Sequence, residues 1–254
     1  MDSAERTTVN SEQTEFFKKL SAEWWNDKGI GILKKMNSKV IEYVCNQISD
    51  AGRTKYSKVN PLHGLKILEV GCGGGILSEE LARTGCELTG IDPNTSVLQV
   101  AKDHAAADST LSTITYVPES VEEHCKMHAD EYDIVIANFV LEHVDEQQYF
   151  VKCCAKCVKP GGSLFISMVS KTYLAWFLLI FLLEYTLRIL PVGIHSYEKF
   201  MNPSETEGII KSCGFNIKYT QGMLYDVITA NAYWIPIHSY LYITHGVKNK
   251  QVTK

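Results

Sequence analysis

The sequence predicts an α/β fold: a doubly wound, mostly parallel sheet of seven strands with an antiparallel last strand, an N-terminal helical lid and an apolar helical insertion. Three observations carry this. From Lys66 onward, short apolar runs of strand type alternate with stretches of helical periodicity. A glycine loop, Gly71-Cys72-Gly73-Gly74-Gly75, joins the first such run to the first helix. The 254 residues, 45% of them hydrophobic, suffice to bury one full core. The expected organisation is a flexible N-terminus over 1–13 and a single domain over 14–250, with the lid at 14–48 and the insertion at 173–200.

Residues 1–12 are polar and predicted to fray. From Thr14 to Ile48 the apolar residues Phe16, Phe17, Leu20, Trp24, Trp25, Val40, Ile41 and Val44 recur at helical spacing, and Asn26 to Gly31 read as a loop near the mouth of the site. Strands are predicted at 66–70, 87–91, 114–117, 133–137, 163–169, 215–220 and 239–245. Helices are predicted at 76–84, 95–105, 119–128, 146–158 and 203–213. The last two strands lie too close for a crossover helix, so they must pair antiparallel.

The glycine loop follows a buried strand and opens a helix, the setting in which a nucleotide-type ligand approaches the backbone. A dinucleotide fingerprint has the spacing G-x-G-x-x-G. Here the third glycine comes one residue early, and Glu69 precedes the loop, where an acid suits an ammonium better than a pyrophosphate. The next strand ends in Asp92, placed to accept the two hydroxyls of a ribose. Acid, loop and ribose acid together resemble the S-adenosylmethionine site of class I methyltransferases.

A net charge of −4 gives no electrostatic case for nucleic acid, so none is expected as a partner. Eight cysteines, with no signal or transit peptide apparent, suggest a reducing compartment. The pair Cys154 and Cys157 has redox spacing, but it lies in a helical stretch and reads as core packing. Past the strand ending near Asn138, the adjacent Glu142 and His143 offer either metal ligands or a general base; alternatively His143 merely bonds a carbonyl. His63, His104, His124 and His128 read as exposed and are given no role.

The run Tyr173 to Leu183 is the most apolar stretch, yet it falls well short of the roughly 18 residues needed to span a bilayer. Two readings stay open: a buried core helix, or an interfacial helix over 173–190 with Trp176, Phe177, Phe181 and Tyr185 in the headgroup region and Arg188 near a lipid phosphate.

Taken together, these stretches make the resemblance specific. Trp24-Trp25-Asn26-Asp27, Met36-Asn37, Leu68 to Leu77, Gly90-Ile91-Asp92, Glu119 to Glu123, Leu141-Glu142-His143-Val144, Val158 to Gly162, His195 to Phe200 and Gly222 to Tyr225 resemble the ubiquinone-biosynthesis O-methyltransferase family, over about residues 14–250. The resemblance implies a Rossmann-like class I methyltransferase that methylates a polyprenylated catechol. S-adenosylmethionine would be held by Gly71, Asp92 and Asn138, with Glu69, Gly73 and Gly75 in the same loop region. Glu142 and His143 would be two ligands of a divalent metal, magnesium or another, with His143 the catalytic base where the metal is absent. Two departures stand out. Phe139 occupies the position where the family carries a further carboxylate, and an expected arginine after Met36-Asn37 is missing, with Lys39 as its nearest substitute. The resemblance further implies peripheral attachment to the matrix side of the mitochondrial inner membrane, beside other ubiquinone-biosynthesis proteins. Two other functions fit the departures: methylation of another lipid or small phenol, and a catalytically silent membrane-bound partner in a biosynthetic complex.

Overall fold

The computed structural model describes residues 6–25, 28–50 and 60–250. Its sheet has eight strands in the order β3-β2-β1-β4-β5-β8-β6-β7. β1 (Lys66–Val70), β2 (Glu87–Ile91), β3 (Ile114–Val117), β4 (Tyr132–Asn138) and β5 (Val158–Val169) are mutually parallel. β8 (Leu241–Lys248) runs antiparallel to both β5 and β6 (Phe215–Asp226), as the short final connection required. The strand order reverses between β1 and β4, so the crevice above their carboxyl ends is where an open α/β sheet takes its ligand.

The eighth strand, β7 (Asn231–Ile235), corrects the expected count of seven. It forms an edge hairpin with an extended β6. The connecting Val227-Ile228-Thr229-Ala230 carries none of the glycine or asparagine that marks a hairpin turn. Instead Asp226 makes the turn, accepting from the Ile228 amide at 2.9 Å and the Thr229 hydroxyl at 2.8 Å, while Ala230 takes φ 51°.

The crossover helices α3 (Ile76–Ala82), α4 (Thr95–Ala106), α5 (Val121–Met127), α6 (Gln147–Cys157) and α8 (Pro203–Ser212) fall where the periodicity puts them. Their starts are chemically marked: Asn94 caps α4, and Ser120 with Glu123 closes a capping box on α5. Cys154 and Cys157 on α6 are buried free thiols in the core, as their helical setting predicts. His124, expected exposed, is buried, bonded to Glu119 at 2.9 Å and to the Tyr132 hydroxyl at 2.9 Å. These two partners satisfy both ring nitrogens, which is what permits the burial.

The lid starts earlier than expected. Thr8 is buried with its amide on Glu122, and Asn10 caps α1 (Ser11–Leu20) while its amide group donates to Asp145 at 3.0 Å. Residues 6–13 are therefore docked rather than frayed, because capping and a buried carboxylate satisfy polar groups that would otherwise prefer water; residues 1–5 lie outside the described part. The expected loop over 26–31 is also shorter, since α2 (Lys28–Asp50) already includes Lys28 to Gly31; Asn26 and Asp27 lie outside the described residues.

The insertion begins as a single turn, α7 (Tyr173–Ala175), and continues as a π-helix over Trp176–Thr186. Burial recurs at Ala175, Leu179, Ile180, Leu183 and Glu184, steps of four and five residues that suit the wider turn. On the opposite face Tyr173, Phe177, Phe181 and Tyr185 are exposed, Phe177 and Phe181 by 46% each. The helix is thus buried along one face and exposed along the other. Among the described residues, no helix is long and apolar enough to cross a membrane.

Candidate active site

Register builds the cofactor end. Val70 pairs with Ile91 on one side and Ala137 on the other, so Gly71, Asp92 and Asn138 emerge from the sheet at one level. Gly71 and Gly73 adopt φ of 72° and 52°, a region that disfavours side chains. A Cβ on Gly71 would stand 2.6 Å from Val140 Cγ2, and one on Gly74 would stand 2.2 Å from Trp24 Cδ1. Trp24 of the lid therefore lies directly on the loop. Trp25 turns away and stacks on His104 at 3.5 Å.

Asp92 accepts from the Gly73 amide at 3.0 Å and the Asn94 amide at 2.8 Å, which ties the glycine loop to the start of α4. Each oxygen retains a lone pair for a further donor. Burial pushes Asp92 up to about 6 against those two amides. Glu69 is buried behind the loop, accepts from the Ser78 hydroxyl at 2.5 Å, and is pushed by burial to about 8. The Asn138 side chain donates to Asn37 Oδ1 at 2.9 Å, but its own oxygen is buried without a partner.

Beyond Asn138 the chain turns through Phe139, at φ 53°, into a short helical turn, Leu141–His143. Here Glu142, His143 and His195 converge, with one possible ligand atom from each lying within 4.8 Å of the others. Glu142 Oε2 is buried with no hydrogen-bond partner, and burial pushes the carboxyl to about 8. His143 lies under the lid, its Nδ1 on Gln13 Oε1 at 3.1 Å and its ring edge-on to Phe17. Burial first, then His195 and Lys199, hold it well below the usual imidazole range. His195 Nδ1 donates to Glu184 Oε1 at 2.7 Å, and the fully buried Glu184 also accepts from the Gly193 and His195 amides. Lys199 and Gln147 tie the two segments together: the Lys199 ammonium donates to the Val144 carbonyl at 2.9 Å, and the Gln147 amide to the Leu141 and Lys199 carbonyls.

A single cavity of about 300 Å³ reaches from Gly71, Gly73 and Asp92, past Asn138 and Phe139, to Glu142, His143 and His195. Its far wall is apolar, formed by Leu179 and Leu183 of the insertion with Leu190, Ile194, Tyr225 and Tyr240.

Residues 68–166 match the family described as "Methyltransferase domain". Solved structures of similar fold include the magnesium protoporphyrin IX methyltransferase of Synechocystis with bound SAM, at TM-score 0.61 and 17% identity over 96% of this chain and all of that one. Curated relatives are much more similar in sequence. The mitochondrial ubiquinone biosynthesis O-methyltransferase of Rattus norvegicus is 36% identical over 95% of this chain and 70% of its own length. The ubiquinone biosynthesis O-methyltransferase of an Escherichia coli strain is 36% identical over 89% of this chain and 90% of that one. The chain belongs to the ubiquinone biosynthesis O-methyltransferase family. Members of this family are S-adenosylmethionine-dependent methyltransferases, and the fold here is the one that binds that cofactor.

In this family member most of the residues singled out from the sequence share the one cavity: Glu69, Gly71, Gly73, Asp92, Asn138, Glu142 and His143 all line it. Two do not. Gly75 caps α3 at φ 84° and faces the Tyr116 hydroxyl, so its smallness serves packing. Lys39 is outside the cavity, its ammonium on Glu42 at 2.8 Å, because the two-residue step from Asn37 turns it about 200° around the helix, away from that side chain. Sequence reasoning gave no role to His195, Glu184, Asn37 or Gln13. His195 sits in a family-matching stretch, which is a signal without a chemistry. Glu184, a lone acid ending an eleven-residue apolar run, is the more legible clue, since such a charge is buried only when satisfied.

Proposed function

We propose that this protein methylates a phenolic oxygen of a polyprenylated catechol in ubiquinone biosynthesis, using S-adenosylmethionine. The observation that carries the reading is the continuous cavity, with a carboxylate-rich glycine loop at one end, two histidines in the middle and an apolar wall at the other. The cofactor end suits a positively charged nucleoside: Glu69 and Asp92 offer carboxylates, and the unpartnered Asn138 oxygen seeks a donor. Gly71 and Gly73 let the backbone close on the ligand, Asp92 takes the ribose hydroxyls, and Glu69 faces the amino-acid ammonium. S-adenosylmethionine supplies a methyl on a sulfonium whose charge vanishes as the methyl leaves.

The remaining requirement is to remove a proton from the hydroxyl and hold the oxygen in line with that methyl. His143 is neutral at pH 7 because its site disfavours the cation, so its free Nε2 can accept the proton. The orphaned Glu142 oxygen and the two imidazoles also suit a divalent ion, which when bound supplies Lewis acidity that lowers a catechol hydroxyl's pKa. Phe139, at the position of an expected carboxylate, makes magnesium alone a poor fit.

The insertion gives an insoluble substrate a way in. Its inner face lines the cavity while Trp176, Phe177, Phe181 and Tyr185 face outward, an arrangement that suits a membrane surface. We infer peripheral attachment at the matrix side of the mitochondrial inner membrane, beside other ubiquinone-biosynthesis proteins, a reading that the exposed aromatic face and the mitochondrial relatives support. The departures at Phe139 and Lys39 favour a second reading, a methyltransferase for another lipid or small phenol, or a silent cofactor-binding partner. Calorimetry with S-adenosylmethionine, then methyl transfer to a short-chain prenyl catechol, distinguishes these. Turnover supports the proposal; turnover only on unrelated phenols, or binding without turnover, supports the second reading.

A further inference from the structure

We propose that His195 completes a divalent-cation centre with Glu142 and His143, and that its two imidazoles select a borderline first-row ion such as Zn²⁺, Co²⁺ or Fe²⁺ over Mg²⁺. The inference rests on the family reading for Glu142 and His143; the third ligand and the class of ion come from this chain. Phe139 removes a carboxylate from the segment, and an imidazole from a distant loop stands within 4.8 Å of the other two donors. His143 Nδ1 is engaged by Gln13 and His195 Nδ1 by Glu184, so both Nε2 atoms are left without a hydrogen-bond partner. A metal-bound histidine ordinarily gives its other N–H to a carbonyl or carboxylate, which orients the ring and strengthens it as a donor. Both second nitrogens are held in that way here.

Glu142 supplies the independent observation: the residue is 3% exposed, and one carboxylate oxygen is buried with no partner. Such an atom needs a cation or a donor to offset its desolvation. Two imidazoles and one carboxylate is a ligand set of catalytic zinc and of non-haem iron, with positions left open. Magnesium instead demands oxygen donors in near-octahedral array. Glu142, His143 and His195 all line the cavity.

The test is a titration of metal-stripped full-length protein with Co²⁺, read by its visible ligand-field bands, with Mg²⁺ as competitor. One Co²⁺ per chain is expected, undisturbed by a hundredfold excess of Mg²⁺. His195→Ala should weaken Co²⁺ by about a hundredfold or more, and Glu184→Gln, at a residue that holds the ring's second nitrogen and the Gly193 and His195 amides without being one of the three ligands, by about 10- to 100-fold. S-adenosylmethionine binding and the melting temperature serve as fold controls; if His195→Ala does not fold, Glu142→Gln, which keeps the side-chain volume, should show the same loss. Absence of cobalt bands, equal affinity in a folded ligand variant, or displacement by equimolar Mg²⁺ overturns the proposal. Methyl transfer is measured separately, so cobalt binding without turnover removes the substrate reading and leaves the centre standing, and turnover without cobalt binding does the reverse.

Discussion

At the scale of residues, the cofactor end depends on Asp92 twice over. It links the glycine loop to α4 through two backbone amides, and in the proposed function its remaining lone pairs take the ribose hydroxyls. Asp92→Ala should weaken S-adenosylmethionine binding by about 1.5–3 kcal/mol, the cost of leaving hydroxyls and amides without a charged acceptor; unchanged affinity by calorimetry would remove Asp92 from the site. Gly71→Val should be worse, since even a Cβ there meets Val140 at 2.6 Å in a backbone region that side chains avoid. Farther along, His143→Ala should abolish most turnover while leaving cofactor affinity intact. A near-normal rate on a catechol would eliminate both its base and its ligand roles. Phe139→Glu restores a carboxylate beside Glu142 and should raise affinity for Mg²⁺, read by calorimetry.

The π-helix poses the question at the scale of an element, because it serves as core on one face and presents aromatics on the other. Changing Phe177 and Phe181 together to Ser removes two half-exposed rings, so co-sedimentation with anionic liposomes should fall sharply while the melting temperature moves little. Leu179→Ser with Leu183→Ser should do the opposite. Those side chains are 6% and 2% exposed, and emptying such positions costs on the order of 2–5 kcal/mol each. Liposome binding that survives the phenylalanine changes would show that the outer face does not touch lipid. Glu184 joins this element to the chemistry: it leaves the apolar helix to hold His195, so the segment that would meet the membrane also orients a residue of the cavity.

For the whole molecule, the buried acids make stability depend on pH in a direction that can be worked out. Glu69 and Glu142 shift from 4.5 to about 8 on folding. Between those values the folded state holds protons that the unfolded chain has released, so stability falls as pH rises. His143 acts in the opposite sense, because the unfolded imidazole at its ordinary 6.5 still carries part of a proton that the folded site excludes. This contribution fades by about pH 7.5 and the two carboxyls outweigh it; Asp92, raised to about 6, has largely titrated. The ligand-free protein should therefore melt at a lower temperature at pH 8 than at pH 6.5, and Glu69→Gln with Glu142→Gln should flatten that slope. A cation placed beside Glu69 favours its carboxylate, so S-adenosylmethionine binding near pH 7 should release protons. Calorimetry in buffers of different ionisation enthalpy reads that number directly, and zero release would contradict the placement.

What the sequence determined by itself was whatever local pattern or spacing fixes. Strand and helix alternation, the glycine loop, Glu69 and Asp92 at adjacent strand ends and the Glu142-His143 pair are set by periods of 2 and 3.6 and by backbone rules that act over a few residues. The lid's early start, the glycine-free hairpin of β7 and the burial of His124 escaped because partners distant in the chain stabilise each of them. The same reason governs the centre of the site. Lys39 is close to Asn37 in sequence and points elsewhere, whereas His195 is 52 positions from His143 and comes within ligand reach of it. Only the packing of the insertion against the sheet decides that meeting, because Glu184, Lys199 and Gln147 fix the approach through contacts that no sequence period encodes.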